Sequence, residues 1–454
     1  MSKLSRVCVV GAGPSGLVAT KTLLEAGLAV DCHELSSCIG GHWVFDNPNG
    51  RSAIYRSMHT NTIKSMNRLS DFEMPQEWEE FPTHEQMRQW LEDYVDHFDF
   101  RDSIRLDSDV VDARALPDGG WEVEIRDAQG TTQTQRYAAL VAASGFIWKP
   151  RLPTLDTAAF AGRVIHSSTY KDVHTPVDVR GRRVVVAGIG NTGCELACEI
   201  AAAGAEAVFL AARSGTWILP RYENGELAAK RAPMAHPDEP LMPPFGMIPE
   251  RWREAALVRV AGTMLKRSYG PRMQRFQELG LPPAPDNPFG ERPTVNEELL
   301  GELEAGRVHA RGALSALAGD EVVFADGRRE RADYVICATG FDLSYPYLDA
   351  CFVPQGARDL TLFQQTMHPE RHDLFFIGVS RPMGALWVMA EVHARFVAAL
   401  LSGRYALPSA RAVRKRSRGI LSRSFVSPAI LGAAARAELA RGAKRAGARA
   451  PTSD

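Results

Sequence analysis

Two glycine fingerprints, 177 residues apart, constrain this chain more than any other feature of its sequence. The first is Gly11-Ala-Gly13-Pro14-Ser15-Gly16. Before it stands Arg6-Val-Cys-Val-Val10, an apolar run that reads as a buried strand. After it, Leu17 to Ala26 reads as a helix stopped at Gly27, and Ala29 to Glu34 as the next strand. The second is Gly188-Ile-Gly-Asn191-Thr192-Gly193. A strand over Val184–Ala187 leads into it, a helix runs through Ala203 to Gly204, and Ala207 to Ala212 returns as a strand. Each copy is a βαβ unit with its glycines at the turn. Those glycines let the backbone approach a pyrophosphate. The helix N-terminus then offers unpaired N–H groups and the positive end of a dipole.

The residues that end the second strands tell the two copies apart. Glu34 lies 21 residues after Gly13, where an acid accepts the ribose hydroxyls of an adenosine. The other copy has Arg213-Ser214 there. An arginine suits a 2′-phosphate that a carboxylate would repel, so NADPH is expected over NADH. Two such folds imply two dinucleotides, a tightly held flavin and a diffusing nicotinamide. The expected class is α/β with parallel sheets, built as two Rossmann-like domains.

Composition narrows the function. The 454 residues suit two or three domains, and 45% hydrophobic with 24% charged residues suits a soluble globular chain. No run of 18 apolar residues predicts a membrane span. With a strand starting at Arg6, no signal peptide is expected. A net charge of −1 argues against a nucleic-acid partner. Seven cysteines, an odd number without a CxxC, do not make a disulfide framework, so a reducing cytoplasm is expected. Cys32 and Cys38 are not spaced as the redox pair of a disulfide reductase, and no haem or iron–sulfur pattern is present. His368, His372 and His393 offer no fourth ligand, so no metal is expected. Reduced flavin is left to meet dioxygen or a small acceptor.

Between and beyond the fingerprints the elements are smaller. Thr83 with Gln86 forms a capping box for an amphipathic helix whose apolar face is Met87, Trp90, Leu91, Tyr94, Val95 and Phe98. Trp121–Ile125 and Ala138–Ala143 read as strands, as do Val322–Phe324 and Tyr334–Cys337 around an Asp326-Gly327 turn. Residues 220–298 hold 13 of the 28 prolines, so short helices and loops are expected there, with 250–267 the best helix candidate. Residues 411–454 carry a local charge of +9 and read as a solvated, partly helical or disordered tail.

At this point a family resemblance is legible. Phe160-Ala-Gly-Arg-Val-Ile-His166-Ser-Ser-Thr-Tyr170 matches the FxGxxxHxxx(Y/F) signature of the flavin-containing monooxygenases, which are class B flavoprotein monooxygenases. The segments Gly40–Trp43, Tyr55–Lys64, Ala338–Phe341 and Gly378–Gly384 are similar in the same order. The resemblance runs from about residue 5 to 408. Baeyer–Villiger relatives carry tryptophan where Tyr170 stands, and the family usually has leucine where His42 stands.

The resemblance implies an enzyme that binds FAD and NADPH. It would form a C4a-hydroperoxyflavin and oxygenate a soft nucleophile, an amine nitrogen or a sulfide sulfur. Baeyer–Villiger oxygenation of a ketone, an uncoupled NADPH oxidase and another biosynthetic flavin oxidation remain as alternatives. It carries FAD-binding roles onto Gly11, Gly13, Pro14, Ser15, Gly16, Glu34, His42 and Trp43. Thr60 and Asn61 would meet both flavin and nicotinamide, with Asn61 supporting oxygen activation. Thr62 and Val110 would join the cofactor shell, and Asn191, Thr192, Gly193, Arg213 and Ser214 would hold NADPH. His166 and Tyr170 would link the domains structurally. An FAD domain of 1–165 and 328–410 would carry an NADPH domain inserted at 166–327. The proline-rich insertion 220–298 would shape or cover the pocket. A homodimer, and a peripheral membrane contact through the basic tail, stay open.

Overall fold

A computed structural model describes residues 6–447 apart from 232–235, 240–246, 355, 381 and 421–426. The fingerprints sit in two five-stranded parallel sheets. In chain order, the elements that frame them begin with β1 (Arg6–Val10), α1 (Pro14–Glu25), β2 (Ala29–His33), α2 (His84–His97), β3 (Ile104–Arg105), β4 (Ala139–Ala142) and β5 (Arg163–His166). There follow β6 (Arg183–Ala187), α3 (Asn191–Ala202), β7 (Ala207–Ala211), α4 (Glu250–Glu278), β8 (Val308–Arg311) and β9 (Tyr334–Cys337). The last are β10 (Leu374–Phe376), α5 (Leu386–Leu401) and α6 (Pro428–Arg445).

The first sheet runs β10-β4-β1-β2-β3 and the second β8-β7-β6-β9-β5. Every pairing in both is parallel. Parallel strands are covered on both faces, which is why β1, β4, β6 and β7 are apolar runs rather than alternating ones. One face of the first sheet packs Val7, Val9, Leu17 and Leu23 against Trp90, Leu91 and Tyr94 of α2 and against α5. The other face, with Cys8, Val10, Leu140 and Ala142, is covered by the antiparallel strands 109–115, 121–126 and 132–137. The capping box of α2 is formed: the Thr83 hydroxyl accepts from Gln86 N at 3.2 Å, and Gln86 Oε1 accepts from Thr83 N at 2.9 Å.

Strand pairing redraws the expected domain boundaries. Strand β5 pairs with β9, and β9 with β6, so residues 163–166 and 334–337 belong to the second sheet. The stretches 1–165 and 328–410 therefore overreach at both crossings. The chain passes between sheets just before β5 and just after β9. The Asp326-Gly327 turn joins the strand 321–324 to a further strand, 329–331, before β9 begins.

The insertion is more regular than its prolines suggest. Its helix runs 29 residues through Pro271 rather than ending near 267. Met273 and Phe276 of α4 are buried in the second core with Leu196, Ile200 and Trp217. Tertiary burial of that face outweighs the loss of one helical hydrogen bond at the proline.

The tail also departs from expectation. Its described part folds back as Ala410–Arg416 and α6, the latter packed on the core side of the first domain. The carboxylate of Glu438, 1% exposed, is bonded by Arg441 at 2.9 Å, Arg445 at 2.9 Å, Tyr405 at 2.7 Å and Arg416. Three of the basic residues that looked solvated in sequence are thus spent on one buried acid. Residues 421–426 and 448–454 of the tail, and residues 1–5 ahead of β1, lie outside the described residues.

Candidate active site

In an open parallel sheet, ligands bind beyond the carboxyl ends of the strands. A cavity of about 450 Å³ lies there on the first sheet. Val10 and Gly11 reach it from the end of β1, Glu34 from β2, Ala143 from β4 and Gly378 from just past β10. Nearest it is the N-terminus of α1. No side chain caps that end, and Pro14 stands in the first turn where its missing N–H costs nothing. Gly16 is required by packing: a Cβ there would lie 1.8 Å from the Gly11 carbonyl oxygen. The second fingerprint repeats this, since a Cβ on Gly193 would lie 1.9 Å from the Gly188 oxygen. Both glycines close the turn from beneath rather than lining the cavity.

Glu34 is buried, and burial raises its pKa against the pull of two backbone amides. Oε2 accepts from Ala12 N at 2.7 Å and Oε1 from Ser36 N at 2.9 Å. Each oxygen keeps a second lone pair for a sugar hydroxyl. Arg51 reaches the same cavity and stacks over Trp148, 4.4 Å from its ring centre.

Further along the cavity stand His42, Trp43, Asn61, Thr62 and Val110, with Asn191 and Thr192 contributed by the second fingerprint. Trp43 meets Trp387 of α5 edge-on at 5.7 Å. Two polar atoms on this wall are shut off from solvent and have no partner among the described residues: Asn61 Oδ1 and His42 Nδ1. Burial, and secondarily the Lys171 charge, lowers the His42 pKa to about 4, so its ring is neutral at physiological pH. Buried polar atoms are normally paired. An apolar wall with two orphaned atoms therefore matches the polar edge of a planar ligand. The uncapped helix end and the Glu34 carboxylate match a pyrophosphate and a ribose. The residues present fit FAD.

Residues 4–418 match the family model described as "Flavin-binding monooxygenase-like". The chain belongs to that family. Flavin-containing monooxygenase 5 of Rattus norvegicus is 32% identical over 422 residues, 89% of this chain and 74% of the relative. Flavin-containing monooxygenase 2 of Homo sapiens is 29% identical over 422 residues, 89% of this chain and 75% of that one. A solved cyclohexanone monooxygenase with bound ε-caprolactone superposes with a TM-score of 0.69 at 18% identity, covering 97% of this chain and 98% of that one. A steroid monooxygenase bound to NADP gives 0.68 at 20%, with the same coverage. At those identities the solved structures speak for the fold. This flavin-containing monooxygenase is an NADPH-dependent oxidoreductase that carries FAD.

Not every expected site residue of this monooxygenase faces the cavity. Thr60 does not: it is buried and its hydroxyl donates to the Thr62 carbonyl at 2.8 Å, so it shapes the loop that presents Asn61. Arg213 and Ser214 lie outside it too. Both are exposed just past the end of β7, and Arg213 has no ion-pair partner among the described residues. Trp217 of the second domain is likewise turned away, buried in the second core and donating to Pro285 O at 2.8 Å.

The signature residues lie beside the contacts that cross between the two domains. Ser168 N donates to His166 Nδ1 at 3.1 Å, which leaves Nε2 to donate to Gly340 O at 3.0 Å. Burial lowers the His166 pKa, and both of its ring nitrogens are already engaged. Tyr170 is fully buried and donates to Glu199 of α3 at 3.2 Å. Ser57 donates to the same carboxylate at 2.6 Å, and Tyr55 to Glu195.

Sequence reasoning missed several lining residues. Arg51, Asn49, Trp148, Ser108 and Tyr347 come from loops whose spacing carries no motif, and Trp387 was hidden in an apolar helix. Arg292 reaches the cavity from the proline-rich insertion. Proline density marked that segment as irregular but not which residue points inward.

Proposed function

We propose that the chain transfers one oxygen atom of dioxygen to a soft nucleophile of a small molecule, an amine nitrogen or a sulfide sulfur, while NADPH supplies the electrons. The observation that carries this reading is the unpartnered Asn61 carboxamide oxygen on a wall it shares with Trp43, Trp387 and Val110. Bound FAD supplies the redox chemistry, accepting hydride and activating oxygen. The protein's part is to position and to keep dry. The α1 N-terminus and Glu34 anchor the adenosine and pyrophosphate end. Asn61 offers hydrogen bonds that carry no labile proton, and the neutral His42 adds a second such group. The two tryptophans exclude water that would discharge an activated oxygen. Arg213 lies where a 2′-phosphate would reach the second fold, which supports NADPH as the reductant. Tyr170, where Baeyer–Villiger relatives have tryptophan, supports heteroatom oxygenation over ketone insertion. We place the enzyme in the cytoplasm, where its seven unpaired cysteines would stay reduced.

The test is anaerobic reduction by NADPH followed by mixing with oxygenated buffer in a stopped-flow spectrometer. A near-ultraviolet species that lasts seconds before oxidised flavin returns, and that shortens on adding an amine or sulfide, is the expected result. Immediate return of oxidised flavin with stoichiometric peroxide, whatever nucleophile is present, would make the chain an oxidase.

A further inference from the structure

A second cavity, of about 780 Å³, shares no lining residue with the first among the described residues. It lies where α5, α6, the first turn of α4 and the segment after Leu362 meet. Its floor is apolar: Leu362, Met389, Val392 and Ile430 line it and are all buried. In that floor sits His393, 3% exposed, with Nδ1 shut off from solvent and unpartnered among the described residues. Burial holds this ring neutral, with a pKa lowered to about 4. An imidazole nitrogen in an apolar floor is costly unless something bonds to it.

The rim has the opposite character. Arg253, Arg416 and Arg418 stand there against a single lining carboxylate, Glu254. Arg416 is pinned to Glu438, but Arg418 is exposed and, among the described residues, donates to the carbonyls of Lys415 at 2.7 Å and Ser417 at 3.1 Å. No carboxylate pairs with Arg418 among the described residues. On the wall, Gln364 and Gln365 both hold left-handed backbone, at φ 51° and 59°. Two consecutive non-glycine residues in that region are strained, and such strain persists where the surroundings enforce it.

An apolar floor with one unmet hydrogen-bonding atom, beneath a cationic rim, selects for a molecule with both characters. We propose that this cavity binds an amphiphilic carboxylate, its chain lying on Leu362, Met389, Val392 and Ile430 and its polar contacts coming from Arg418 and His393. The volume lies within the range of small-molecule sites. The site is separate from the oxygenation chemistry and does not depend on that reading.

Calorimetric titration of the FAD-loaded full chain with decanoate and with 1-decanol tests it. Decanoate should bind saturably with one site per chain, and decanol at least tenfold more weakly, because a charge-assisted contact is lost. Arg418→Ala should weaken decanoate about tenfold and leave decanol unchanged. His393→Leu, which keeps the floor filled, should weaken decanoate by a similar factor. FAD content and the rate of flavin reduction by NADPH are measured alongside and should match wild type, so a failed fold or a failed redox reading shows separately. The proposal is overturned by absent saturation, by equal affinity for acid and alcohol, by affinity unchanged in both variants, or by competition between decanoate and NADP+.

Discussion

Asn61 shows how little of a side chain's role lies in its identity. After a loop threonine, an asparagine is most often a turn residue. Here its carboxamide oxygen has no turn partner among the described residues and faces a cavity that FAD fits. Asn61→Ser should leave reduction of the flavin by NADPH intact while oxygenated product falls and hydrogen peroxide rises; unchanged product per NADPH would remove Asn61 from the mechanism. Arg213 makes the complementary case, exposed and away from the cavity, so its contribution is to binding. Arg213→Ala should raise the KM for NADPH roughly tenfold through loss of a charge-assisted hydrogen bond, with NADH use little changed. An equal rise for both nucleotides would mean the arginine does not read the 2′-phosphate.

Among the elements, helix α3 carries the consequence that spacing alone concealed. Glu195 and Glu199 lie one helical turn apart on it. In the fold they take the hydroxyls of Tyr55, Ser57 and Tyr170, so the loop that presents Asn61 is tied to the second domain through two half-buried acids. Burial raises the Glu195 pKa to about 6, against the pull of Tyr55 and of Arg221 at 3.2 Å. A raised carboxyl binds its proton more tightly folded than unfolded. Its contribution is therefore complete below about pH 4.5 and is lost as pH rises through about 6, a loss of up to about 2 kcal/mol. Thermal unfolding of Glu195→Gln should lack this part of the decline in Tm between pH 5 and 7; an unaltered slope would place the titration elsewhere. Helix α4 corrects a simpler idea. Its C-terminal half is core, so removing residues 235–285 would unseat Met273 and Phe276 along with any lid.

Across the whole molecule, the C-terminal segment closes the structure instead of trailing from it. Glu438 lies near the centre of that closure. Burial alone would lift its pKa, but hydrogen bonds from Arg416, Tyr405, Arg441 and Arg445 outweigh it and hold the carboxyl at about 2. A depressed carboxyl stabilises the fold above its ordinary pKa of 4.5, and that stabilisation is lost as pH falls towards 2. Glu438→Gln removes one partner of a buried cluster and leaves three cations around it. It should cost about 3 kcal/mol at pH 7 and much less near pH 3. FAD should remain bound, because no described residue of α6 lines the first cavity. A denaturation midpoint unchanged at pH 7 would show that α6 does not dock as described.

The sequence by itself determined the two βαβ units, their glycine turns, Glu34 and Arg213, the capping box of α2 and the family. All of these depend on contacts within about thirty residues, where side-chain type and spacing decide the outcome. Tertiary structure alone decided which strand joins which sheet, because β5 and β9 are short apolar runs that would suit either. It decided that Thr60 turns away while Asn61 faces in, that α4 runs through Pro271, and that a +9 tail folds onto a buried glutamate. Apart from Thr60, whose bond to Thr62 is local, the deciding contacts join segments that lie well apart in the chain. Local pattern cannot register such a contact, since the same side chain is cheap in water and valuable only once the fold has supplied its partner.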